Sequence, residues 1–214
     1  MNLRQIIITI NLFLVNLSFA QIPNPSLIGY WQNWNDFQCP YIQLTQIDTS
    51  YNIIPVAFAI PVSGTTYNMT FTPDGITQLT FKKQIDTMHL RGKKVIISIG
   101  GANDPVSLPD TNKRNTFITS MMNIINTYGF DGIDIDLEGS SLSVSGGTIA
   151  NPVDAKVINL IYAIRKIMDL YRVQFVFYQC SLWLLKQLTC RAECQLMQES
   201  GEHISLSFTL SEIR

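Results

Sequence analysis

The sequence predicts an α/β fold with parallel strands, and three observations carry that expectation. Strand-like and helix-like patterns alternate from about residue 27 to residue 178. The run at 94–99 reads as apolar on both faces, as a strand covered on both sides should. A third run, Asp131-Gly132-Ile133-Asp134-Ile135-Asp136-Leu137-Glu138, alternates acids with apolar residues, which is the period of a strand. Repeated β-α units imply parallel pairing, because a parallel strand is reached only through a crossover that a helix can supply.

Each element has its own justification. A first strand is expected near 27–31, followed by a loop containing Trp34, Cys39 and Pro40. A second is expected near 52–59, ending before Pro61. Residues 75–90 read as a helix, with Ile76, Leu79, Ile85 and Met88 at helical spacing and Arg91-Gly92 as a stop. The strand at 94–99 comes next. Asp110 can cap a helix whose apolar positions are Phe117, Ile118, Met121, Ile124 and Ile125, ending before Gly129. The acidic strand at 131–138 follows. A Gly/Ser loop over 139–149 then leads to a helix at about 153–170, with Pro152 near its first turn. Residues 173–178 fit a fifth strand.

The acidic strand carries the chemistry. Asp134, Asp136 and Glu138 share one face, and Ile133, Ile135 and Leu137 share the other. Three stacked acids repel one another, and such a column is tolerated where at least one of them holds a proton. A proton-bearing Glu at its end is a candidate general acid. A solvated acidic face is the plain alternative, but solvated faces are not threaded with Ile, Ile and Leu. A calcium loop is a second alternative. Its pattern places Gly inside a turn-rich loop, whereas Gly132 precedes the alternation and β-branched residues fill the gaps. Asp131 has the opposite parity and reads as a structural residue at the strand's start.

The spacing of Asp131, Asp134, Asp136 and Glu138 resembles the Asp-x-x-Asp-x-Asp-x-Glu signature of glycoside hydrolase family 18, the chitinases. Gly29-Tyr30-Trp31-Gln32-Asn33-Trp34 is similar to that family's first barrel strand. The run at 52–59 is similar to its second, and Ser98-Ile99-Gly100-Gly101 to the end of its third. The resemblance covers about 26–170. It implies a (β/α)8 TIM barrel, with the first half, about four to five β-α units, in this chain. It implies retaining, substrate-assisted hydrolysis of β-1,4-linked N-acetylglucosamine, in which the substrate's acetamido oxygen is the nucleophile. Glu138 would then be the general acid. Asp136 would orient the acetamido group, and Asp134 would share a proton with Asp136. Tyr30 and Ser98 would sit near the aspartates and tune their charge. Trp31 and Phe58 are candidates for binding sugar, with a core role the alternative for each. An endo-β-N-acetylglucosaminidase shares the acidic column, and a non-catalytic chitinase-like sugar-binding protein is a second alternative, although those relatives typically lose the acid at Glu138. A metal-dependent acidic hydrolase is a third class. No cofactor and no metal are expected.

The first 20 residues read as a secretory signal peptide. Arg4 begins it, the stretch from Ile6 to Phe19 is largely apolar, and Ser18-Phe19-Ala20 places cleavage after Ala20. The mature protein is therefore expected outside the cell, as a monomer off the membrane, acting on chitin or chito-oligosaccharides. A net charge of −1 gives no electrostatic case for nucleic acid. Cys39, Cys180, Cys190 and Cys194 allow three disulfide pairings, and the sequence does not choose among them. Asn68-Met69-Thr70 is a glycosylation sequon in a polar stretch.

Residues 21–172 are thus expected to form a partial catalytic domain, and 173–214 a divergent tail. All nine prolines lie at or before Pro152, and the β-α rhythm stops in the tail. The resemblance also implies a later Tyr that binds the acetamido oxygen and a later Trp beneath the reacting sugar, and neither has a matching position. These features point to a frameshifted, mis-spliced or truncated product with weak or no turnover, with a genuine divergent half-barrel the alternative.

Overall fold

The apolar runs become the strands of one sheet in the computed structural model, which describes residues 26–148, 151–171 and 175–178. The expected signal peptide, three of the four cysteines and most of the expected tail lie outside the described residues. The strands are β1 (Trp31–Gln32), β2 (Ile53–Pro61), β3 (Met69–Thr70), β4 (Lys94–Gly101), β5 (Gly132–Leu137) and β6 (Phe175–Tyr178). The helices are α1 (Gln78–Leu90), α2 (Thr111–Tyr128) and α3 (Ala155–Tyr171).

The sheet order is β1-β2-β4-β5-β6, each pair parallel, with β3 antiparallel on β2. Spatial order follows chain order without reversal, so successive crossovers advance in one direction. Right-handed crossovers of that kind place their helices on a single face. The opposite face is left as the inside of a barrel, and the described strands form its first part.

Register decides what each face carries. Ile97 lies beside Val56 on one neighbour and Ile133 on the other, and Ile99 lies beside Ile135. These residues point to the helices, where Phe81 and Ile85 of α1, Phe117 and Met121 of α2, and Ala163 and Ile167 of α3 bury against them. Each such aliphatic or aromatic side chain contributes about 1.5–3 kcal/mol on leaving water. The inner face differs along its length. Ile28, Ile53 and Ile96 pack together near the strand starts. Ser98 and Asp134 sit side by side further on, and Gly100 lies beside Asp136. The inside is therefore apolar at the bottom and polar toward the C-terminal ends, where parallel barrels carry their chemistry.

Several boundaries differ from expectation. β2 runs through Pro61 instead of ending before it. A proline is tolerated at a strand's end, where its missing N–H breaks no interior ladder. That extension meets β3, a two-residue strand too short to leave a periodic signal. α1 begins at Gln78, not at 75, because the Thr77 side chain accepts from Thr80 N at 3.2 Å and caps it there. Asp110 caps α2 as expected, accepting from Lys113 N at 2.9 Å, and Gly129 closes it at φ 79°. That left-handed angle favours glycine. β6 falls within the 173–178 run expected as a fifth strand and pairs parallel with β5.

Candidate active site

β5 delivers the acidic column to the inner face. Asp134 lies mid-strand and is 1% exposed. Two hydroxyls converge on its Oδ2: Tyr30 donates across the sheet at 2.7 Å, and Ser98 donates from β4 at 2.5 Å. Burial pushes the Asp134 carboxyl up to about 6, and the charge of Asp136 adds to the rise, while both hydroxyls oppose it. Asp136 is half-buried, and burial followed by the charge of Glu138 raises it likewise to about 6. Each acid thus feels the next along the column. Burial and the nearby aspartate charges also push the Tyr30 hydroxyl far upward, so it remains a donor.

Glu138 stands one residue beyond β5, with extended backbone at φ −129°, ψ 170°. Its backbone carbonyl accepts from Ser141 N at 3.1 Å, but no hydrogen bond engages its carboxylate among the described residues. This is the arrangement of an acid held by its backbone with its side chain available to a ligand.

Asp131 does something else. It lies just before β5 and accepts from Val95 N at 2.9 Å and from Lys94 Nζ at 2.9 Å, while its Oδ2 is 2.7 Å from His89 Nε2. Partial burial pushes its carboxyl up, but the bonds from His89, Lys94 and Val95 outweigh that and leave it below the usual range. It ties the end of α1 to the starts of β4 and β5, at the opposite end of the strand from Glu138.

A cleft of about 500 Å³ opens beside Asp136, lined also by Tyr30, Gln32, Trp34, Cys39 and Phe58. Phe58 reaches it because β2 holds one extra residue opposite Ser98, between the Val56–Ile97 and Ala59–Ile99 pairings. Glu138 is not among the lining residues and lies two positions beyond Asp136. Trp31 takes the core alternative. Its ring is 2% exposed and packs on Tyr41 and Phe81, with Nε1 donating to Ile42 O at 2.9 Å. Its register beside Val56 turns it to the helix face, although it also borders the cleft.

Trp34 was missed as a site residue. It is 42% exposed and stacks on Phe58 with centroids 6.2 Å apart. The Gln32 amide holds its loop by donating to Trp34 O at 3.0 Å and Cys39 O at 3.2 Å. A Trp in a loop just after a strand aimed at an acidic site was the available signal. Among the described residues, no group of three or more His, Cys, Asp or Glu is arranged to hold a metal ion. No helix there is long and apolar enough to cross a membrane.

The chain matches the family described as glycosyl hydrolases family 18 over residues 26–179. It is 43% identical over 161 residues to Chitinase D of Niallia circulans, covering 72% of this chain and 30% of that protein. It is 41% identical over 152 residues to Chitinase Chi52 of Paenibacillus xylanexedens, covering 70% of this chain and 29% of that one. The chain thus spans under a third of these relatives' length. A solved family GH18 chitinase from Chromobacterium violaceum superposes with a TM-score of 0.65 at 30% identity, over 75% of this chain and 42% of that one.

Proposed function

We propose that this chain, which belongs to glycoside hydrolase family 18, carries the acid-bearing part of a secreted chitinase that cleaves β-1,4-linked N-acetylglucosamine with retention. The observation that carries the proposal is the column Asp134–Asp136–Glu138, with two acids raised to about 6 beneath a third that is free to meet a ligand. The relatives' names as chitinases support the substrate class.

The steps follow from where each group stands. Glu138 gives its proton to the glycosidic oxygen as the C1–O bond breaks. The sugar's own acetamido oxygen attacks C1 and forms a cyclic oxazolinium, and water then opens it while Glu138 takes a proton back. Asp136, lining the cleft, accepts from the acetamido N–H and opposes the positive charge growing there. Asp134 stores the proton that Asp136 yields on turning to the substrate. Tyr30 and Ser98 keep Asp134 fixed and favour its ionised form. Trp34 and Phe58 offer an aromatic surface on which a pyranose face can lie. The apolar N-terminal stretch ending at Ala20 supports export, which suits a polymeric substrate.

Glu138→Gln tests the reading. Loss of the general acid should lower hydrolysis of a soluble chito-oligosaccharide by about a hundredfold or more. Oligosaccharide binding, followed by the change in tryptophan fluorescence, should stay within a factor of about two, since the amide keeps the shape. A parent that hydrolyses measurably and a variant that keeps its rate would remove Glu138 from the chemistry, whereas a parent that binds the oligosaccharide without turnover would favour the non-catalytic sugar-binding alternative.

A further inference from the structure

Unclaimed chemistry outside the cleft lies on β3 and the residue before it. In Asn68-Met69-Thr70 the strand period puts the first and third side chains on one side and the second on the other. Met69 is buried, and its N–H donates to Ser120 Oγ of α2 at 3.0 Å. Thr70 is exposed and Asn68 half-exposed. The Asn68 carbonyl accepts from Val62 N at 2.7 Å, which fixes its backbone. No hydrogen bond engages the Asn68 amide or the Thr70 hydroxyl among the described residues. Beside Asn68 opens a hollow of about 340 Å³ whose other walls are Asn115, Thr116, Thr119, Ser120 and Asn123, polar residues on one face of α2. The Thr116 and Thr119 hydroxyls donate back to Asn112 O and Asn115 O at 3.1 Å each, so their remaining lone pairs can accept. The Asn123 amide makes no hydrogen bond among the described residues.

We propose that Asn68 is a site of N-glycosylation and that the hollow on α2 seats the first sugar of the glycan. The donor is a lipid-diphosphate-linked oligosaccharide. A bond forms between Asn68 Nδ2 and the sugar's C1, and the C1–O bond to the diphosphate breaks. The lipid diphosphate leaves with the electron pair, and the amide gives one proton to the transferase's base. Thr70 supplies the hydroxyl that the transferase reads two residues on. The attached sugar then meets the Asn123 amide and the accepting lone pairs of the Thr116 and Thr119 hydroxyls on α2, away from the acidic column.

The test expresses the full chain in a eukaryotic secretory host behind an unrelated cleavable leader, so that it does not depend on residues 1–20. One N-glycanase-sensitive shift in mobility is expected, absent in Asn68→Gln and in Thr70→Ala and kept in Thr70→Ser. Protein recovered from the secretory pathway without that shift, or with a shift that survives Asn68→Gln, overturns the site. Seating is read separately from the rate at which an endoglycosidase trims the glycan. The native protein should be trimmed about tenfold more slowly than the denatured chain, the protection that one or two net hydrogen bonds provide. Equal rates overturn the seat.

Discussion

Asp134 is an acid buried where its charge is costly, and that fixes the sign of its effect on stability. Its folded pKa of about 6 lies above the ordinary carboxyl value of 3.8. Below the ordinary value the group is protonated folded or unfolded, and it costs nothing. As pH rises toward 6 the unfolded chain releases the proton while the folded chain keeps it, so stability falls through that window and levels off above it. Two units correspond to about 3 kcal/mol at most, and relaxation around the site should lower that. Asn at this position has no charge to bury and still accepts from Tyr30 and Ser98. Asp134→Asn should therefore be more stable relative to the parent at pH 8 than at pH 4, by about 2 kcal/mol. Denaturant midpoints at the two pH values measure it, and a gap that does not change with pH would mean that Asp134 is not a buried acid. Asp131 behaves oppositely. Its carboxyl is held below the ordinary range, so its contribution is present at neutral pH and is lost only as pH falls through its depressed pKa. Asp131→Ala should destabilise the chain at neutral pH by about 2 kcal/mol, because it removes the acceptor of Val95 N and one partner each of Lys94 and His89. The same denaturant titration measures it, and a loss under about 1 kcal/mol would mean the tie between α1, β4 and β5 is weak.

At the scale of elements, the end of β4 sets how closely it meets β5. Gly100 has φ +106°, and a Cβ there would lie 2.1 Å from Asp136 O. Neither the angle nor the space admits a side chain. Gly100→Ala should push the two strands apart beside the acid column and cost about 3–5 kcal/mol, seen in thermal or denaturant unfolding. A near-neutral outcome would mean that β4 and β5 do not meet there as described. This constraint explains how much of the site was legible. The alternation of acid and aliphatic residues placed Asp134, Asp136 and Glu138 on one face, because strand period alone determines it. α2 was legible from its spacing and from the cap at Asp110, whereas in α1 Ile85 and Met88 are buried as expected but Leu79 is exposed and Ile76 precedes the helix. The choice between core and sugar site stayed open for Trp31 because single-strand parity is ambiguous without its partner, and only pairing with Val56 reveals which way it faces. The one-residue shift that brings Phe58 inward, the β3 pairing and the Gln32 clamp on the Trp34 loop depend on contacts distant in sequence, and local pattern carries no record of them.

For the whole molecule, the outer layer matters as much as the cleft. α3 turns Ile164 and Ile167 into the core, yet Ile158, Ile161, Tyr162 and Leu170 are about half exposed, as is Val153 just before the helix. Ile158, Ile161 and Tyr162 fall at i, i+3 and i+4, so they form a stripe on one helical face instead of scattered single residues. Arg114 lies 4.0 Å over the Tyr162 ring and covers only part of it. Contiguous apolar surface of this kind drives association when nothing covers it. In a helix-ringed barrel the flank of one helix is where the next one packs, so the stripe is compatible with a further β-α unit in a longer protein. If nothing else covers the stripe, the expected consequence for the 214-residue chain is self-association. Replacing Ile158 and Ile161 together with Lys leaves the core positions untouched. It should keep the chain monomeric in light scattering at concentrations where the parent associates. If both proteins associate alike, the stripe is already covered in solution, and the source of association must be sought on the sheet edges instead.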